Sequence, residues 1–139
     1  MIVRDLIDRI RDRLNKGKAI VLVGPRQVGK TTLIKTLLKD ISYLFLDGDD
    51  SVVMDALANA NTETLKSIIG NYKYVFIDEV QRIPNIGLKL KIIVDQIKDV
   101  QVIVSGSSVL DIHDLTQEPL TGRKFEFQMF PVSWTEFEN

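Results

Sequence analysis

Gly24-Pro25-Arg26-Gln27-Val28-Gly29-Lys30-Thr31 is the stretch on which the fold turns. A glycine, four residues and then Gly-Lys-Thr is the spacing of a phosphate-binding loop. The glycines let the backbone wrap tightly, so that successive N–H groups point at phosphate oxygens. The segment before it, Ala19-Ile20-Val21-Leu22-Val23, is a continuous apolar run whose length and β-branching predict a buried strand. The segment after it, from about Lys30 to Lys39, carries Leu33, Ile34, Leu37 and Leu38 on one face and predicts a helix. Strand, glycine-rich turn and helix in that order are the context the loop requires, because the helix N-terminus adds its dipole to the anion site.

Working outward, Ile2, Leu6, Ile10 and Leu14 recur every four residues opposite Arg4, Arg9, Arg11 and Arg13, which predicts an amphipathic first helix ended by Asn15-Lys16-Gly17. Tyr43–Leu46 reads as a second strand running into Asp47-Gly48-Asp49-Asp50. Asp50 or Ser51 caps a short helix through Leu57, and Asn61-Thr62-Glu63 opens another that Gly70-Asn71 stops. Tyr74–Ile77 is a third strand, and Pro84 starts a long helix with Ile86, Leu90, Ile93 and Ile97 on one stripe. Val100–Val104 is a fourth strand, closed by Ser105-Gly106-Ser107-Ser108. A short helical or looped stretch leads to Lys124–Met129, which alternates polar and apolar and predicts a half-exposed strand at a sheet edge. Four apolar runs separated by helices argue for a mostly parallel five-stranded sheet covered on both faces, a three-layer α/β/α sandwich.

The chain has 139 residues, 45% hydrophobic and 27% charged, which is about one folded domain and not a disordered chain. It has no cysteine and one histidine, His113, which excludes disulfides, thiol nucleophiles and Cys/His zinc sites. A net charge of −1 gives no overall basic footprint for nucleic acid. Residues 1–40 nevertheless hold 10 Lys/Arg and 4 Asp/Glu, whereas residues 41–80 hold 2 and 7. The basic N-terminal part is either a solvated helix face or a positive region facing an anion. The start of the chain lacks the build of a signal peptide, and no apolar run approaches the ~18 residues of a membrane helix, so a cytoplasmic protein is expected.

Four segments carry candidate chemistry. In the loop, Gly24, Pro25, Arg26, Gln27, Val28, Gly29, Lys30, Thr31 and Thr32 form the expected nucleotide-binding set. Lys30 reaches the β- and γ-phosphates and Thr31 holds Mg²⁺, while Arg26 and Gln27 either touch the nucleotide or line the mouth. Tyr74–Ile77 ends in Asp78-Glu79, which assigns Asp78 to the metal and Glu79 to the attacking water as general base. Ser107 or Ser108, after the fourth strand, is either a sensor of the γ-phosphate and water or part of a plain turn. Arg123, in Thr121-Gly122-Arg123, is either an arginine finger for a neighbouring subunit or a surface arginine, and Arg82 is a surface or interface residue. His113 reads as a surface loop residue, and Trp134 with Phe130, Pro131 and Phe137 as packing. The only Asn-Lys, Asn15-Lys16, lacks the aspartate of a guanine reader, and there is no arginine-rich lid of a nucleoside kinase. A water-activating ATPase remains, with a non-hydrolysing, nucleotide-dependent switch acting on a partner or DNA as the alternative and a small-molecule kinase third.

Taken together, Gly24–Thr32, Tyr43–Asp47, Phe76–Pro84, Ser105–Ser108, Leu120–Arg123 and Phe130–Phe137 resemble the bacterial and archaeal AAA+-like P-loop ATPase domains that are usually followed by a restriction-endonuclease-like C-terminal domain. The resemblance implies a sheet of order 5-1-4-3-2, ATP with Mg²⁺ as ligands, and the sensor and arginine roles named above, including a homo-oligomer joined through Arg123. It also implies that residues 1–139 form a single P-loop ATPase core, without the lid and C-terminal domain that follow the Phe-Pro-x-Ser-Trp segment in similar proteins.

Overall fold

A computed structural model describes residues 2–25, 29–97, 99–107, 112 and 119–129. In chain order its elements are α1 (Ile2–Arg11), β1 (Ala19–Val23), α2 (Lys30–Leu37), β2 (Leu44–Asp47), α3 (Ser51–Ala58), α4 (Thr62–Ile69), β3 (Tyr74–Asp78), a 3-10 turn (Val80–Arg82), α5 (Ile86–Gln96), β4 (Gln101–Gly106) and β5 (Lys124–Gln128). The strands form one sheet of order β2-β3-β4-β1-β5, which is the expected 5-1-4-3-2 read from the other edge. All four pairings are parallel. The fold is therefore α/β, and the alternating β5 does lie at an edge.

Strand periodicity sorts the core into two halves. Ile20, Leu22, Phe76, Ile103 and Phe127 point to the side covered by α1 and α2, where they meet Leu6, Ile10, Leu33, Ile34 and Leu37. Their sequence neighbours Val21, Val23, Val75, Ile77, Val102 and Val104 point to the other side, against Leu57 of α3, Leu65 and Ile69 of α4, and Leu90 and Ile93 of α5. A strand buried on both faces needs no polar alternation, which is why β1, β3 and β4 read as apolar runs.

Capping follows the sequence. The Asp50 carboxylate accepts the Val52 N–H at 2.9 Å, and the Asn61 side chain accepts the Thr64 N–H at 2.8 Å. Several boundaries differ from expectation. Helix α1 ends at Arg11 and tightens into turns, with Leu14 N–H donating to the Arg11 carbonyl at 3.2 Å. Helix α5 begins at Ile86 and not at Pro84, because Val80–Arg82 first makes a 3-10 turn and Asn85 then takes φ 58°. Strand β4 runs on to Gly106, whose carbonyl still accepts the Gly24 N–H at 3.1 Å. Arg26, Gln27, Val28, Ser108, His113 and the 130–139 segment, which includes Trp134, lie outside the described residues.

Phe76 is fully buried at the centre of the α1/α2 side. Phe76→Ala is expected to lower the unfolding free energy by about 3–5 kcal/mol. Urea titration followed by circular dichroism measures it, and a loss under ~1 kcal/mol would contradict the packing described.

Candidate functional site

Parallel pairing puts the C-terminal ends of β1, β4 and β3 side by side, with Val23 level with Gly106 and Ile77 level with Val104. Side-chain parity then decides what meets there. Asp78 shares the face of Phe76, and Ser105 shares the face of Ile103, so both project toward the α2 side. Helix α2 starts at Lys30, which places Thr31 over the same spot.

The Asp78 carboxylate is held from three directions. Thr31 Oγ1 donates to Oδ2 at 2.9 Å, the Glu79 N–H donates to Oδ1 at 3.0 Å, and Ser105 Oγ also donates to Oδ1. Asp78 is half-buried, and withdrawing a carboxylate from water is costly unless donors replace the water, as these three do. Lys30 is buried, and its Nζ donates to the carbonyls of Gly24 at 2.7 Å and Pro25 at 2.9 Å, so the ammonium lies inside the loop itself. A Cβ on Gly24 would stand 2.3 Å from the Met129 carbonyl oxygen, so only glycine passes between β4 and the end of β5. Gly29, at φ 93°, turns the chain into α2.

Glu79 leaves the strand. Its φ of 50° and ψ of 50° are left-handed, a conformation that costs an L-residue about 1–2 kcal/mol and is held by its surroundings. Only 7% exposed, its Oε2 accepts from Ser107 Oγ at 3.0 Å and Gln81 Nε2 at 3.1 Å. Gly48 packs directly behind this turn. Its N–H donates to the Asp78 carbonyl at 2.7 Å, and a Cβ there would lie 2.3 Å from the Glu79 carbonyl oxygen.

Gly29, Lys30, Thr31, Thr32, Asp49, Asp78 and Glu79 line one cavity of about 330 Å³. Thr31 and Asp78 offer a divalent cation two hard oxygens on one wall. Among the described residues there is no group of three His, Cys, Asp or Glu side chains that would hold a metal unaided. That donor set fits Mg²⁺, which binds through one or two protein oxygens and takes its other ligands from water and phosphates.

Of the residues singled out in the sequence, Lys30, Thr31, Thr32, Asp78, Glu79 and Ser107 are thus brought together. Arg123 is not among them. It precedes β5 at the opposite end of the sheet, its carbonyl accepts the Ala19 N–H at 2.8 Å, and its Nε donates to Asp95 at 2.8 Å. A five-residue strand separates the two ends by about 16 Å. Arg82 sits at the rim in an exposed ion pair with Asp49 at 3.3 Å. Sequence reasoning overlooked three members. Ser105 was legible from parity once the strand order was in hand. Gly48 stood unremarked within Asp47-Gly48-Asp49-Asp50. Gln81 carried no signal, because the 3-10 turn that brings it back to Glu79 has no sequence mark.

Residues 16–138 match the family model described as an AAA domain. Uncharacterized proteins of Mycobacterium bovis and Mycobacterium tuberculosis are each 32% identical over 121 residues, 86% of this chain and 26% of theirs. The chain thus spans about a quarter of the length of these relatives. The hemin import ATP-binding protein of Hahella chejuensis is 47% identical over 38 residues, 27% of this chain and 15% of that protein. The Walker-type ATPase of Pyrococcus abyssi shares the fold with a TM-score of 0.60 at 17% identity, over 93% of this chain and 51% of that one.

Gly48→Ala is expected to push the Glu79 peptide away and to lower stability by about 1–3 kcal/mol. Thermal melting with a crystal structure of the variant checks both, and an unmoved Glu79 carbonyl with an unchanged melt would show that the close approach imposes nothing.

Proposed function

The chain belongs to the AAA domain family, a nucleotide-binding and ATPase-like class, and we propose that it binds Mg-ATP in the Gly29–Glu79 cavity and hydrolyses it. The observation that carries this is the meeting of Thr31, Asp78 and Glu79 on one 330 Å³ cavity at the end of the phosphate loop. The ATP-binding function named for the Hahella chejuensis relative agrees with ATP as the nucleotide.

In this reading the loop N–H groups and the α2 N-terminus receive the phosphates. The Lys30 ammonium turns from the Gly24 and Pro25 carbonyls to the β- and γ-phosphate oxygens. Thr31 and Asp78 would hold Mg²⁺, which would supply positive charge against that of the phosphates. Glu79 orients a water. As the water oxygen bonds to the γ-phosphorus, the bond to the bridging oxygen breaks, ADP leaves, and the Glu79 carboxylate takes the water proton. Ser107 holds that carboxylate through its hydrogen bond to Oε2. Residues 1–139 serve as the ATPase core. Arg123 acts on a neighbouring copy's phosphates, since Asp95 and the length of β5 keep it from its own.

Three experiments test this. Glu79→Gln is expected to keep ATP affinity within about two-fold while turnover falls at least ~100-fold. Calorimetry and phosphate release measure the two, and wild-type turnover in that variant would remove Glu79 from the reaction. ATP bound by the wild type and never hydrolysed in a single-turnover assay, with or without DNA, would make the site a nucleotide-dependent switch. Arg123→Ala is expected to slow turnover only at protein concentrations where copies associate. A wild-type rate at every concentration would end the arginine-finger proposal.

A further inference from the structure

Gln81 stands beside the site and has no part in the proposed reaction. It sits in the 3-10 turn, two residues after Glu79. Its Nε2 donates to Glu79 Oε2 at 3.1 Å and to Ser107 Oγ at 3.1 Å, and Ser107 Oγ in turn donates to the same Glu79 oxygen at 3.0 Å. The three groups form a closed triangle. Its sense is fixed by chemistry: an ionised carboxylate only accepts, so the amide must present nitrogen to Glu79 and oxygen away from it.

That orientation has a cost. Gln81 Oε1 is buried and has no hydrogen-bond partner among the described residues. It faces Gly106, where a Cβ would stand 2.8 Å from the amide oxygen and 2.3 Å from Ile112 Cδ1, so the glycine leaves the room this amide occupies. An unpaired buried acceptor is destabilising, and an apolar side chain of the same shape would remove the penalty. A residue kept only for packing would not be expected to carry it.

We infer that Gln81 is a positioning residue that clamps the Glu79 carboxylate, through the triangle with Ser107, in the orientation from which it addresses the attacking water. The inference rests on the proposed role of Glu79. With two donors on Oε2, the side chain of Glu79 is held against rotation although its backbone is in a strained turn. Misplacement of a general base by about 1 Å can cost ~100-fold in rate, whereas it leaves phosphate contacts on the other side of the cavity alone.

The test compares wild type with Gln81→Met and Gln81→Glu. Methionine keeps the length and removes the donor and the unpaired acceptor. Glutamate keeps the shape and sets a second carboxylate against the first. For Gln81→Met, kcat is expected to fall about 10- to 100-fold with KM and ATP affinity within two-fold, while the melting temperature stays level or rises. Gln81→Glu is expected to be the slower of the two. Crystal structures of wild type and Gln81→Met with a non-hydrolysable ATP analogue give a readout that needs no turnover, in which the Glu79 carboxylate should leave Ser107 Oγ in the variant. A lower melting temperature with proportionate loss of ATP binding would make Gln81 merely structural and overturn the inference. So would full activity in Gln81→Met, or a Glu79 carboxylate still seated on Ser107. If the wild type proves unable to hydrolyse ATP, the proposed function fails, and the two crystal structures alone decide whether Gln81 holds Glu79.

Discussion

The carboxylate of Asp78 is the point from which the site is built. It takes hydrogen bonds from α2 through Thr31, from β4 through Ser105 and from its own following peptide at Glu79. These donors lie in separate parts of the chain, at residues 31, 79 and 105, and only a parallel sheet with β4 placed between β1 and β3 delivers them to one atom group. The half-buried acid is tolerated because three donors serve it. Its satisfaction in turn fixes the distance between the start of α2 and the end of β3, the two walls between which a phosphate chain and a cation have to fit.

From that anchor the geometry of Glu79 follows. Asp78 belongs to the strand and keeps its parity, whereas Glu79 has left the ladder and takes left-handed dihedral angles. If the strand simply continued, Glu79 would face the α3–α5 side with Val75 and Ile77. The left-handed turn redirects it into the cavity with Thr31 and Asp78. Gly48 makes room for this turn from behind, and Gly106 makes room beside it for Gln81. Two glycines far apart in sequence thus enable one strained residue, which is the ordinary way a fold stores local strain at a functional position.

This division also explains how much the sequence revealed. The phosphate loop, the strand ending in Asp78-Glu79 and the helical stripes are written in local patterns, so the α/β class and the meeting of Lys30, Thr31, Asp78 and Glu79 were legible there, whereas the sheet order was implied only by the family resemblance. Ser107 was legible as one of two serines after a strand, and it joins the triangle with Glu79 and Gln81, while Ser108 lies outside the described residues. What sequence could not supply were contacts made by turns without a signature. The 3-10 turn at Val80–Arg82 delayed α5 by two residues beyond Pro84 and folded Gln81 back onto Glu79. The pairing of Arg123 with Asp95 likewise joins residues of two elements whose packing no spacing announces.

Two glutamine amides, those of Gln101 and Gln81, show how structural and chemical demands separate along the sheet. Gln101, at the start of β4 and 4% exposed, is fully used: its Oε1 accepts the Asn15 N–H at 2.7 Å, and its Nε2 donates to the carbonyls of Lys18 and Val102, each at 2.9 Å. It ties the turn after α1 to the sheet, and every polar atom of the amide is satisfied while doing so. Gln81, at the other end of the same sheet, spends its nitrogen on Glu79 and Ser107 and leaves its oxygen unpaired. The same side chain in the same fold is complete where it only has to hold the chain together and incomplete where it has to hold a carboxylate. Stability alone accounts for the first arrangement. The second is what results when the position of one acid is worth more than one hydrogen bond.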